Sequence, residues 1–248
     1  MALQSSGQIS LSDIQSEFGG ANPIGLGEYY RGGSYVTNWN GASGVPTSGA
    51  ISASDFYGAR RYPTLATYNQ AGGGDMALTG LGSNPKMLVI VGSAFSSGTI
   101  SIPAPTVGGA ATTQVIYRYN GNLDDGHVAA VWTYDLNDAS SATVNLANAN
   151  TWTVIVVDNV TSLTTVATGY TNSAAAVSIA TSAQGFAVAA GVNNFSGIGT
   201  TITNCDTTYQ VGYATINGID SATTGATTSY QASGSRVQLN IAASFGYN

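Results

Sequence analysis

Eight short runs rich in Val, Ile, Ala and Tyr lie beyond Tyr62, at 86–92, 114–119, 128–134, 151–158, 175–180, 186–192, 208–214 and 236–245, and Gly, Asn, Asp or Ser bounds them. β-branched and aromatic residues favour extended backbone, and Gly, Asn and Asp supply the turns that end it. No helical run of comparable length lies among them. Val237-Gln238-Leu239-Asn240-Ile241 alternates, which places Val237, Leu239 and Ile241 on one buried face. The run 87–91 is apolar throughout and suits a strand covered on both sides. The pattern predicts a mainly β fold, an antiparallel β-sandwich of jelly-roll type over residues 62–248. No blade-length repeat argues for a propeller.

Composition decides whether such runs pack or stay solvated. Charged residues make up 7% of the 248-residue chain, against about 25% in an ordinary protein, yet 43% are hydrophobic. That balance supports a packed core under a neutral, polar surface. Six basic residues against twelve acidic ones give a net charge of −6, the wrong sign for tracking a phosphate backbone, so nucleic acid is excluded as a partner. The longest apolar runs, 87–91 and 154–157, fall far short of the roughly 20 residues of a spanning helix, so no membrane partner is expected. No basic and then apolar leader opens the sequence, and Sec-type export is not expected. The single cysteine, Cys205, cannot form an internal disulfide or by itself a zinc site and reads as a small core or loop residue.

The first 61 residues differ in character, because they repeat. Ser6-Gly7-Gln8-Ile9-Ser10-Leu11-Ser12-Asp13 matches Ser48-Gly49-Ala50-Ile51-Ser52-Ala53-Ser54-Asp55 at six of eight positions, with an offset of 42. A degenerate third copy, Ile24-Gly25-Leu26-Gly27-Glu28-Tyr29, lies between them. Each copy encodes a helix start. Ser10 or Ser52 is the N-cap, and Asp13 or Asp55 three residues on can return a hydrogen bond to it; Gly25 and Glu28 keep that spacing. Ile9, Ile24 and Ile51 then face Ile14, Tyr29 and Phe56 as hydrophobic staples. Gly19-Gly20, Gly32-Gly33 and Gly58 end the helices early, and helices so short need tertiary support. Their aromatics, Phe18, Tyr29, Tyr30, Phe56 and Tyr57, are expected to bury against a neighbouring subunit, or alternatively against the chain's own sandwich.

The stretches SSGQISLSDIQSEFGGANPIGLGEYYRGG and VPTSGAISASDFYGARR resemble an N-terminal signature of virion structural and tail-fibre proteins of tailed phages. The resemblance covers residues 5–61, about a quarter of the chain. More loosely, LVIVGSAF, VGGAATTQVIYR and the terminal IAASF look similar to β-sandwich modules of phage appendages. The resemblance implies a non-enzymatic part of a virion. It makes other virion proteins the partners, and it makes Ile9, Ser10, Asp13, Phe18, Glu28, Tyr29, Tyr30, Ile51, Ser52, Asp55, Phe56 and Tyr57 the anchoring residues. A tail fibre whose sandwich faces outward toward a host-surface glycan is the leading expectation. Capsid decoration is the second, and a polysaccharide depolymerase the weakest. Fibres and decorations are often trimers, so a homo-oligomer is expected, although no coiled-coil heptad enforces one.

No residue pattern argues for catalysis or a cofactor. His127, the only histidine, follows a turn-rich stretch and reads as a solvated loop residue. No G-x-S-x-G elbow singles out a serine. Asp124, Asp125, Asp135 and Asp138 are close in sequence, but sequence spacing does not establish the paired carboxylates of a glycosidase. Asp124 and Asp125 with Asn120 and Asn122 are a weak calcium candidate, lacking EF-hand spacing, and the default reading is turn formation with no metal. Gly72-Gly73-Gly74 and Gly108-Gly109 lack the Lys-Ser/Thr of a phosphate loop. Trp132, Trp152, Tyr117, Tyr119 and Tyr134 offer sugar-stacking rings, although core packing is their simpler role.

Overall fold

The computed structural model describes residues 3–38, 40–121, 126–173, 175–193, 202–211, 215–221, 225–232 and 237–247. One α-helix, α1 (Leu11–Phe18), and short 3-10 turns at Leu26–Glu28, Asn40–Ala42 and Ala53–Phe56 precede the strands. In chain order these are β1 (Thr64–Ala71), β2 (Gly74–Leu78), β3 (Lys86–Ser96), β4 (Thr106–Val107), β5 (Ala110–Ala111), β6 (Thr113–Gly121), β7 (Gly126–Asn137) and β8 (Ala142–Leu146). They continue as β9 (Thr151–Asp158), β10 (Leu163–Thr171), β11 (Val177–Ala180), β12 (Gly185–Asn193), β13 (Thr207–Val211), β14 (Thr215–Asp220), β15 (Thr227–Tyr230) and β16 (Val237–Tyr247).

The eight expected runs all overlap strands, and 151–158 coincides with β9, while 175 and 176 of the run 175–180 precede β11. Residues 212–214 and 236, also expected in strands, lie outside the described residues. Strands β1, β2, β8, β10 and β15 were not expected, because Thr, Gly, Asn and Ala dilute their apolar content, nor were β4 and β5, which are two residues each. Strand β14 escaped for another reason. Its sequence Thr-Ile-Asn-Gly-Ile-Asp carries the Asn-Gly pair that ordinarily signals a hairpin turn.

The strands form four antiparallel sheets stacked in layers. Two five-stranded sheets, ordered β1-β9-β3-β7-β6 and β10-β16-β12-β14-β13, pack face to face. Val89, Val91, Val131, Ile155 and Val157 of the first meet Val188, Ala190, Leu239, Ile241 and Phe245 of the second. The outer face of the first sheet is covered by a four-stranded sheet ordered β2-β8-β4-β5, around Leu88, Ile90, Trp132, Trp152 and Val154. The outer face of the second is covered by β11 and β15, around Ala187, Ala189, Ile216 and Tyr230. The central strands of both large sheets are therefore buried on both faces, which is why β3, β9 and β12 read as continuous apolar runs.

The second half of the stack repeats the first. Replacing β1, β9, β3, β7 and β6 by β10, β16, β12, β14 and β13 converts one strand order into the other. The small layers correspond as well, β2-β8 to β11-β15, and a bridge between Ile202 and Ala232 stands where β4 meets β8. Contacts across the central interface occur in matching pairs: β14 on β3 as β7 on β12, and β16 on β7 as β14 on β9. The β region is thus two copies of one topology, packed through equivalent faces about an approximate two-fold.

Residues 3–62 fold around a core of their own. Ile14, Tyr29 and Phe56, each four residues after the N-cap of its copy, have no exposed surface and share one cluster with Ile9, Phe18, Val36 and Val45. Ile24 and Ile51 pack against it, so all three staples feed a single core. Only the first copy continues into an α-helix. In the other two the turn stops after three or four residues.

Candidate functional site

In every repeat the carboxylate returns to the N-cap backbone. Asp13 Oδ2 accepts from Ser10 N at 2.8 Å, Glu28 Oε1 from Gly25 N at 2.9 Å, and Asp55 Oδ2 from Ser52 N at 2.7 Å. Ser10 Oγ also accepts from Asp13 N at 3.2 Å. Hydrogen bonds from both backbone and hydroxyl of Ser10 hold the Asp13 carboxyl below its ordinary range. The degenerate copy forms its turn without a serine, because the backbone N–H of Gly25 is all that Glu28 requires.

The copies are also tied to one another in a ring. The residue after each staple partner donates to the residue two before the next copy's isoleucine. Gln15 Nε2 donates to Asn22 Oδ1 at 3.4 Å, the Tyr30 hydroxyl to Gly49 O, and the Tyr57 hydroxyl to Gly7 O, which closes the circle. Phe18 and Tyr29 both meet Phe56 edge to face, at 6.1 and 6.2 Å. Phe18, Tyr29 and Phe56 are therefore buried neither on the sandwich nor on a second subunit but on each other. Of the residues named as anchors, Tyr57 is the large side chain most presented to solvent, 42% exposed.

The repeat module is held to the β stack at one junction. Arg61 Nη2 lies 2.6 Å from Asp158 Oδ2, and the Arg61 N–H donates to Glu17 Oε1 at 2.9 Å. Asn159 Nδ2 donates to Arg61 O at 2.7 Å, and the Tyr62 ring meets Tyr247 edge to face at 5.3 Å. A concavity of about 580 Å³ beside this junction is lined by Ile9, Asp13, Glu17 and Asn84 among others. Its carboxylates are already engaged, Asp13 in its cap and Glu17 in the junction.

The remaining sequence candidates separate clearly. His127 is not a solvated loop residue. It lies buried on β7, with Nδ1 2.9 Å from Asn120 O and its ring 5.3 Å from Phe95, because pairing with both β3 and β6 encloses that end of the strand. Asn122, Asp124 and Asp125 of the calcium candidate lie outside the described residues. Asp135 and Asp138 are exposed, and Asp135 Oδ1 accepts from Asn137 N at 2.8 Å. No group of three His, Cys, Asp or Glu suited to a metal occurs among the described residues. Trp132 and Trp152 are fully buried, 5.8 Å apart, while Tyr119 is 40% exposed. Among the described residues no helix is long and apolar enough to cross a membrane.

A polar site that the sequence reading missed lies at one end of the interface between the two β halves. Asn217 is its hub. Oδ1 accepts from Ser93 Oγ at 2.8 Å, and Nδ2 lies 3.3 Å from both Val91 O and Thr153 Oγ1. Thr151 and Thr215 share a hydrogen bond behind it. Thr153 donates to Asn69 Oδ1 at 2.9 Å. Ser93, Thr151 and Thr215 have no exposed surface, and Asn217 and Thr153 are at most 2% exposed. Above Thr153 and Asn217 opens a cleft of about 150 Å³, walled by Thr67 and Asn69 on one side and by Thr208 and Tyr209 on the other.

The duplicated topology supplies a control for this site. Carried through the strand pairings, Ser93 corresponds to Val192, Thr151 to Leu239, Thr153 to Ile241, Asn217 to Val131 and Tyr209 to Ile116. At the opposite end of the interface these equivalents are buried in the apolar core. There Arg118 covers the Tyr170 ring at 4.1 Å, and Tyr170 is the counterpart of Asn69. One seam is apolar and the other polar. No family model, no curated protein and no solved structure matches this chain.

Proposed function

We propose that this chain is a structural protein of a tailed-phage particle, an appendage attached through its repeat module and presenting the β stack outward, with no catalytic role. The observation that carries the reading is the build of the module. Three copies of the phage-like motif close into one ring with a core of their own, joined to the stack at a single junction. A compact unit with a core of its own, joined to the β stack through the Arg61–Asp158 junction, suits attachment. Its capping groups are consumed internally, so contacts to other virion proteins fall to exposed side chains such as Tyr57. The neutral surface of the stack suits contact with a host-surface glycan.

The same reading takes each β half as a jelly roll, supported by the orders β1-β9-β3-β7 and β2-β8-β4-β5, in which the chain passes back and forth between two sheets except at the β4–β5 and β6–β7 pairs. Homo-oligomerisation, with a trimer as the natural symmetry of a fibre, belongs to this proposal. Labelling the chain on intact particles tests it. A few dozen copies at the tail is the expected result. Hundreds of copies over the head would replace it with capsid decoration, and release of new reducing ends from host polysaccharide would revive the depolymerase.

A further inference from the structure

We propose that the cleft between the two β halves, floored by Thr153 and Asn217, is a binding site for one neutral saccharide ring. The proposal deepens the appendage reading by giving its outward contact a place and a chemical class, and it rests on that reading only for its biological setting.

The argument begins with an asymmetry. Two equivalent seams flank the central interface, and at one of them Val131, Ile241 and Ile116 complete an apolar core. An interface of this topology therefore closes without polar groups. At the other seam Asn217, Thr153 and Tyr209 occupy the same positions, and burying such groups is costly unless each is hydrogen-bonded. The network satisfies Asn217 and Thr153 at the floor. It also orders the rim. Because Asn69 Oδ1 accepts from Thr153, it is the Asn69 amide nitrogen that would donate to a ligand in the cleft that Asn69 lines.

The chemistry of the lining selects the ligand. No charged side chain lines the cleft, so an ionic ligand would find no counter-charge. Seven of the eight lining residues carry a hydroxyl or an amide, with Ile219 the exception, so an apolar ligand would displace water from these groups and return no hydrogen bonds. What remains is a neutral molecule with hydroxyls on its edge and C–H groups on its face, and the half-buried Tyr209 ring supplies a surface for that face. A volume of about 150 Å³ holds about five waters at roughly 30 Å³ each. That is room for one pyranose ring at the end of a glycan.

The test uses the full chain and saturation-transfer NMR with glucose, galactose, mannose and N-acetylglucosamine as probes. At least one is expected to bind saturably, with a dissociation constant on the order of 1 mM, as suits a single small site. Asn69→Ala and Tyr209→Ala are expected to weaken binding at least about tenfold, equivalent to about 1.4 kcal/mol. Asn69→Ala removes the acceptor of the buried Thr153 hydroxyl, so its urea midpoint is measured beside binding, and a variant still folded under the assay conditions separates lost binding from lost fold. Tyr170→Ala, at the apolar seam, leaves binding unchanged. Absence of saturable binding by all four sugars, or binding that survives both rim variants, overturns the proposal. A chain located on the head would sink the appendage reading and leave this result untouched.

Discussion

Gly92 and Gly191 occupy equivalent places in the two halves, and each is a glycine because a neighbour fills the space of a side chain. A Cβ on Gly92 would lie 2.6 Å from the Trp152 ring, and one on Gly191 would lie 2.3 Å from Ala232 Cβ. Gly92→Ala is therefore expected to destabilise the fold by about 1–3 kcal/mol, the usual cost of overpacking, read as a lower urea midpoint. A midpoint equal to the parent's would show that Trp152 moves aside freely. Gly218 follows the same logic, with Cys205 Sγ 2.8 Å from where its Cβ would sit. Burial there, reinforced by Asp220 and Asp206, pushes the Cys205 thiol up to about 12. At pH 8 only about one thiol in 10⁴ is then ionised, so alkylation should run at least about a hundredfold slower than for a free cysteine. A raised folded-state value contributes stability that is complete below the unfolded thiol's range near 8.5 and lost as pH rises toward 12. Burial raises the Tyr230 and Tyr247 hydroxyls in the same direction, so alkaline titration followed by circular dichroism should show stability falling above about pH 8.5.

The capped turns show how much a short element owes to its local sequence. Serine or glycine, then a carboxylate three residues later, was legible as a helix start in all three copies, because a capping box involves only neighbours in the chain. Ser10→Ala is expected to cost about 1 kcal/mol, seen as faster amide exchange across Leu11–Phe18; unchanged exchange would mean that the Asp13 carboxylate suffices alone. The partners of the aromatic residues were not legible. Which surface buries Phe18 or Phe56 depends on how the copies close on one another, and local patterning does not encode that. At the polar seam, strand β14 hid its identity for a related reason. Asn217 and Gly218 resemble a turn in sequence but are a network hub and a close-packing site in space. Asn217→Val, which copies the apolar seam, is expected to cost about 1–3 kcal/mol because Ser93 loses its acceptor. Ser93→Val in the same chain should restore part of that loss, and simple additivity in a double-mutant cycle would count against the network.

At the scale of the whole molecule, a three-copy module and a two-copy β stack meet through Arg61, Asp158, Asn159 and the Tyr62–Tyr247 ring contact. Combining Arg61→Ala with Tyr247→Ala is expected to speed proteolysis near residues 60–64 severalfold and leave the stack folded; cleavage at the parent rate would show that the backbone bonds suffice. The sequence by itself determined the capped turns, the mainly β class and the continuous apolar strands at its centre, because these rest on periodicity and on contacts between near neighbours. Tertiary structure alone decided the four layers, the duplication of the β half and the contrast between its two seams. Equivalent positions in the halves carry different residues, Val131 against Asn217 and Ile241 against Thr153, so the duplication is carried by strand order and not by side-chain identity. Pairings between strands distant in the chain set that order, and only the folded molecule brings those residues together.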